Sequence, residues 1–184
     1  MRTNEQELTY EVLTYEATLE LLDTEGREAV YVRKQHLRFL RDGVTAIDDY
    51  GWGNGIAFAR HYAFPGRFVD RRIEGSRLRS TVELSRAYDA GEDLTFSVER
   101  LIKNGFASAS EWWLEAEIYH PVRRVSLSVL LPASRQVKTA TLVQPGIPGS
   151  IAVVPKQLPD GRQTVIYINR RPVQGARYTL LWDW

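Results

Sequence analysis

The chain has 184 residues, 43% hydrophobic and 11% aromatic, enough for one packed core and too apolar for a disordered segment. A formal net charge of +1 provides no global field to draw nucleic acid or a membrane surface. The absence of cysteine excludes disulfides, thiolate metal sites and a cysteine nucleophile.

The start, Met1–Glu7, is polar and acidic and lacks the basic start and apolar run of a secretory signal. No stretch approaches the roughly 18 apolar residues needed to cross a bilayer. These features predict a cytoplasmic protein without membrane contact, and no composition break divides residues 1–184 into more than one domain. Residues 1–25 carry seven acids against Arg2 alone. The Thr, Tyr and Val content of the run 12–22 favours a strand over a helix. The turn Asp23–Gly26 separates it from a second run over 28–40, and Asp42-Gly43 precedes a third over 44–50.

Gly51-Trp52-Gly53-Asn54-Gly55 is dense in glycine but has neither the spacing nor the lysine of a phosphate cradle. Trp52 on such a loop offers a stacking surface for a base or sugar; the alternative is a hairpin whose tryptophan closes over the core. Residues 60–86 hold seven arginines. Arg67, Arg71, Arg72, Arg77 and Arg79 are candidates for forked binding of a phosphate-bearing ligand, a nucleic acid or an acidic partner. Alternation puts Arg77 and Arg79 on one face, opposite Leu78, whereas Arg71 and Arg72 point apart if they lie in a strand. The competing reading is internal, with the acidic N-terminal segment lying beside this stretch and cancelling it.

Alternation of period two continues through residues 77–85 (Leu78, Val82, Leu84) and 94–102 (Leu94, Phe96, Val98, Ile102). A single helical turn fits Asn104–Glu111. Over 112–118, Trp112, Leu114, Ala116 and Ile118 face inward while Trp113, Glu115 and Glu117 face outward. Glu115 and Glu117 therefore leave one face about 7 Å apart, within the separation that glycoside hydrolysis requires. Jelly-roll glycosidases carry a third acid shortly after such a pair; here Tyr119 and His120 follow instead. The plainer reading is a polar face balanced by Arg100, Arg123 or Arg124. His36, His61 and His120 have no ligand spacing, so no metal site is expected. His120-Pro121 ends one strand and sets the turn into 125–131. Pro145–Gly149 reads as a loop, Pro159-Asp160-Gly161 as a turn into 163–168. The chain closes on alternating Tyr178, Leu180, Trp182 and Trp184, which predicts a final strand integral to the core.

Strands at this spacing predict an all-β fold, an antiparallel β-sandwich of about 9–11 strands, with a β-barrel as the alternative. Several segments are similar to an uncharacterised β-rich bacterial domain. These are Phe96–Arg100, Glu111–Pro121, Arg124–Pro132, Leu158–Gln163 and Tyr178–Trp184. Such domains stand at the C-terminal end of multidomain signalling or defence proteins, and the resemblance covers most of residues 12–184. It implies that any activity belongs to a separate partner, and it transfers no active site or cofactor. The expectation is thus a non-catalytic protein-recognition, sensor or adaptor module of a bacterial multi-component system. A homo-oligomer stays open, as do binding of an anionic ligand or nucleic acid and, least favoured, a carbohydrate-active enzyme.

Overall fold

The computed structural model describes residues 8–52, 58–74, 77–108 and 112–184, and of Trp52, Phe58, Ala59, Glu74 and Arg77 the backbone only. Its described residues form fourteen strands in three sheets, with no helix among them and no sheet closed into a barrel. The sandwich reading holds.

The largest sheet contains β1 (Tyr10–Leu21), β2 (Glu28–Phe39), β4 (Phe58–Phe64), β7 (Asp93–Lys103), β9 (Val122–Leu131), β12 (Lys156–Gln157) and β13 (Gln163–Asn169). Their order is β12-β13-β9-β1-β2-β7-β4. Four strands, β8 (Trp113–Glu117), β10 (Thr139–Val143), β11 (Ile151–Ala152) and β14 (Arg177–Asp183), form a second sheet ordered β11-β10-β14-β8. The third sheet is β3 (Val44–Trp52), β6 (Arg77–Tyr88) and β5 (Arg67–Glu74), with β6 in the centre.

The alternating faces supply the core. Phe96, Val98 and Ile102 of β7 are fully buried, as are Leu127, Val129 and Leu131 of β9. Each such side chain contributes roughly 1.5–3 kcal/mol on burial. In β1 the phase slips by one residue: Tyr10 and Val12 are buried, then Tyr15, Ala17, Leu19 and Leu21. A register shift between Val12 and Thr14 against β2 accounts for the slip, as expected of a bulge.

One connection is not antiparallel. β1 pairs with β9 in parallel, Tyr15 beside Val125 and Leu19 beside Val129. This pairing decides where the N-terminal acids go. Glu11 meets Arg123 at 2.9 Å, Glu16 meets Arg124 at 3.9 Å and Glu20 meets Arg162 at 2.8 Å. The competing reading, in which this segment neutralises residues 60–86, is not met by its described acids: Glu11, Glu16 and Glu20 pair with Arg123, Arg124 and Arg162, and Asp23 and Glu25 meet Arg27 in the adjoining turn. The expected helical turn at 104–111 is also absent where described. Asn104 adopts φ 57° and Asn104–Ser108 forms a turn, while 109–111 lie outside the described residues.

Candidate functional site

Three strands from two sheets carry charged residues at positions whose alternation points them inward. On β3, Asp49 is in phase with buried Ile47. On β2, Arg33 follows Tyr31 on the buried face, and on β7, Arg100 lies between Val98 and Ile102. All three are buried, and they meet. Arg33 donates from Nη2 to Asp49 Oδ1, and Arg100 donates from Nη2 to Asp49 Oδ2 at 2.5 Å. Arg100 also donates from Nε to His61 Nε2 at 3.1 Å.

Burial pushes the Asp49 carboxyl up, but the guanidiniums of Arg33 and Arg100 overcome this and hold it well below the usual carboxylate range. Burial also lowers the His61 pKa, against the opposing pull of Asp49. His61 is thus the neutral acceptor that the Arg100 bond requires, and its 3.8 Å separation from Asp49 Oδ2 exceeds hydrogen-bond length. Burial raises the Tyr31 hydroxyl well above its ordinary value, and the Arg100 guanidinium lies 5.4 Å from the Tyr31 ring centre.

Gly51 gives this cluster its room. A β-carbon there would stand 3.0 Å from Arg100 Cζ and Nη2, and Arg100 is too tightly held to retreat. Gly51→Ala is expected to destabilise the protein by about 1–3 kcal/mol through overpacking. Urea unfolding checks this, and an unchanged midpoint would show that the guanidinium gives way freely.

Beside the cluster lies a cavity of about 630 Å³, lined from all three sheets. Arg33 and Arg100 border it from the large sheet with Tyr15 and Tyr31, and β3 adds Asp48, Tyr50 and Gly51. From the four-stranded sheet come Trp113, Glu115, Glu117, Arg177 and Thr179. The last four form cross-strand pairs, Glu115 with Thr179 and Glu117 with Arg177. Thr179 donates to Glu115 at 2.8 Å and Tyr119 to Glu117 at 2.7 Å. The Arg177 guanidinium reaches both carboxylates, at 3.2 and 3.8 Å.

The two glutamates thus share a face and border the cavity. Their balancing arginine is Arg177 on the neighbouring strand; of the expected partners, Arg100 is committed to Asp49, while Arg123 and Arg124 lie beside Glu11 and Glu16. The arginine-rich stretch is largely engaged within its own sheet. Arg67 pairs with Glu83 at 2.7 Å, Arg72 with Asp70 at 2.8 Å and Arg79 with Asp48 at 2.8 Å. Arg71 lies 5.3 Å from the Phe68 ring centre. The side chains of Trp52 and Arg77 lie outside the described residues. No group of three metal-ligating side chains occurs among the described residues.

Sequence reasoning missed Arg33, Asp49, the bond of Arg100 to Asp49 (Arg100 being offered instead as a partner of the glutamate face) and Arg177. The first three had a readable signal, a charge standing at an apolar phase of the alternation; Arg177 had none, since its role depends on which strand neighbours β14.

No protein-family model and no curated protein matches this chain. Solved structures do share its β fold. An M1 zinc metallopeptidase from Deinococcus radiodurans aligns with TM-score 0.52 at 12% identity, over 94% of this chain and 42% of that one. A putative protease from Parabacteroides distasonis aligns with TM-score 0.55 at 12% identity, over 96% and 40%. At such identity the likeness shows the fold alone, and the chain spans less than half the length of these structures. A mutant of a two-domain M1 zinc metallopeptidase is similar over 94% of this chain and 43% of that one (TM-score 0.53, 12% identity), so the shared fold is there part of a longer protein.

Proposed function

We propose that this chain is a non-catalytic sensor module whose ligand is a small molecule held in the cavity where the three sheets meet. The cavity carries the reading. Its volume of about 630 Å³ suits a small ligand, since such sites run from roughly 300 to 1,000 Å³. Its walls combine aromatic rings with a few charged groups fixed by ion pairs, the composition that orients a bound molecule. Glu115 and Glu117 suit binding better than glycoside hydrolysis, because Arg177, Thr179 and Tyr119 already engage their oxygens. Native mass spectrometry of the protein purified from its own host tests this. A small molecule released on denaturation is expected; a bare chain in every preparation would overturn the reading.

A second reading, recognition of another protein within a bacterial multi-component system, is favoured by the edge formed by β4 and β5. Each is the last strand of its sheet. Phe64 is 74% exposed and Ile73 71%, with Tyr62 and Val69 also exposed beside them. Large apolar residues concentrated on open edges are marks of interaction surfaces. Affinity capture with the wild-type chain should return a stoichiometric partner that the Phe64→Ser, Ile73→Ser variant loses. Equal recovery by both would remove this reading.

A further inference from the structure

We infer that the ligand of the cavity is a neutral sugar, its ring lying against Trp113 and its hydroxyls held by Glu115, Arg177 and Thr179. This rests on the reading of the cavity as a ligand site and names the chemistry of its occupant.

Trp113, Glu115 and Glu117 alternate along β8, and all three border the cavity. Strand geometry spaces Trp113 and Glu115 about 7 Å apart on that face, the reach of one sugar ring with its hydroxyls. Thr179 stands directly across from Glu115, and Arg177 across from Glu117. An aromatic ring and a polar cluster therefore adjoin on two neighbouring strands of one sheet.

The cluster offers both kinds of hydrogen-bonding group. A carboxylate accepts at roughly four sites. Among the described residues, Glu115 engages the Thr179 hydroxyl at 2.8 Å and Arg177 Nε at 3.2 Å, which leaves it room for further donors. Arg177 carries N–H groups beyond the Nε and Nη2 that contact the two glutamates, and its side chain is 54% exposed. Thr179 gives its proton to Glu115, so its oxygen is left as an acceptor. A sugar hydroxyl both donates and accepts. Adjacent hydroxyls can thus give a proton to Glu115 and take one from Arg177, and charge strengthens both bonds.

The charge pattern favours a neutral molecule. Asp49 engages Arg33 and Arg100, Arg79 engages Asp48, and Arg177 engages both glutamates. An ionic ligand has to compete with these pairs, whereas hydroxyls bond to the same groups and leave the pairs in place. An apolar ligand would strip the remaining water from Glu115, already only 21% exposed, without replacing the lost bonds. The C–H face of a sugar ring needs an aromatic surface instead. Trp113 provides one, and Tyr50 and Tyr119, with ring centres 4.9 Å apart, add further rings to the cavity wall.

Saturation-transfer NMR and isothermal titration of the wild-type chain test the inference, with glucose, galactose, mannose, N-acetylglucosamine, maltose, cellobiose and lactose as probes. At least one is expected to bind, with saturation strongest on the C–H protons of one ring face. Glucuronate and glucosamine, which place a charge on the same ring, should bind no more tightly than the best neutral sugar. Glu115→Gln keeps the side-chain volume and should weaken that sugar at least about tenfold, as expected when hydrogen bonds to a charged group are lost. Trp113→Ala should do the same. Trp113→Phe keeps an aromatic face and guards against a folding defect, and it should retain binding within about threefold. Sugar binding that ignores both Glu115→Gln and Trp113→Ala, tighter binding of glucuronate or glucosamine, or no response to any neutral sugar would each overturn the inference. If no sugar responds while host-purified protein still releases a small molecule, the inference falls and the cavity reading stands. If the host-purified chain is also bare, both fall.

Discussion

A chain ending at Tyr178 is expected to lose cooperative unfolding altogether. β14 is an interior strand of the four-stranded sheet, with Leu180 paired to Leu142 of β10 on one side and Leu114 of β8 on the other. Truncation removes Leu180, Trp182 and Trp184, which are 0%, 4% and 2% exposed. Trp182 packs toward Phe106 and Trp184 meets Trp112 edge-on at 6.0 Å. The Trp184 carbonyl accepts from Arg135 at 3.1 Å and from Lys138 at 3.2 Å, and the Arg135 guanidinium lies 4.2 Å from the Trp184 ring centre. Cutting back a single buried leucine costs about 2–5 kcal/mol and a buried tryptophan about 3–5. Losing all three with their backbone matches or exceeds the 5–15 kcal/mol that holds a typical domain folded. β8 and β10 also lose the strand between them. Thermal melting followed by circular dichroism reads the effect, and a sigmoidal transition at the wild-type midpoint would show that β14 is dispensable.

Much of this core is legible because a half-buried strand has a period of two, and residues 94–102, 112–118, 125–131 and 178–184 keep that period with apolar residues on one phase. Other strands hide for physical reasons. In β4 and β5 the large apolar residues Tyr62, Phe64, Val69 and Ile73 are on the exposed side, so the usual sign of alternation is inverted. β10 buries only Ala140 and Leu142, and β11 and β12 have two residues each, too few for any period. These segments are why fourteen strands form where about 9–11 are expected. Strand neighbours are less legible still. The parallel pairing of β1 with β9 depends on packing across more than half the chain, and it sends Glu11 and Glu16 to Arg123 and Arg124.

The candidate site divides in the same way. Glu115 and Glu117 are readable as a pair on one face, since strand geometry alone puts them there. That they border a cavity, and that Arg177 balances them, depends on β8 lying beside β14. Asp49, Arg33 and Arg100 each break an apolar phase, a local signal. Their convergence is not local, because Asp49 is 16 residues from Arg33 and 51 from Arg100.

Replacing Asp49 by alanine is expected to cost about 3–5 kcal/mol at neutral pH, the penalty for removing one partner of a buried ion pair. The Asp49 side chain is fully buried and serves two guanidiniums that are 8% and 1% exposed. Without it, both positive charges remain in the interior with no carboxylate between them. The exposed pair Arg67–Glu83 is the proper control, with side chains 76% and 48% accessible. Glu83→Ala should change stability by no more than about 1 kcal/mol, because water and salt screen such pairs. The pH dependence separates the ionic effect from simple loss of packing. The folded protein holds the Asp49 pKa below its ordinary value of 3.8, so the unfolded chain takes up the proton first as the pH drops. The carboxylate's contribution is therefore complete above about pH 4 and declines as the pH falls from there toward the folded value. Urea unfolding at pH 7 and pH 3 should show the gap between wild type and Asp49→Ala narrowing at the lower pH. A gap of the same size at both would mean that Asp49 stabilises the fold by filling space. A variant as stable as wild type would mean that Arg33 and Arg100 find other partners.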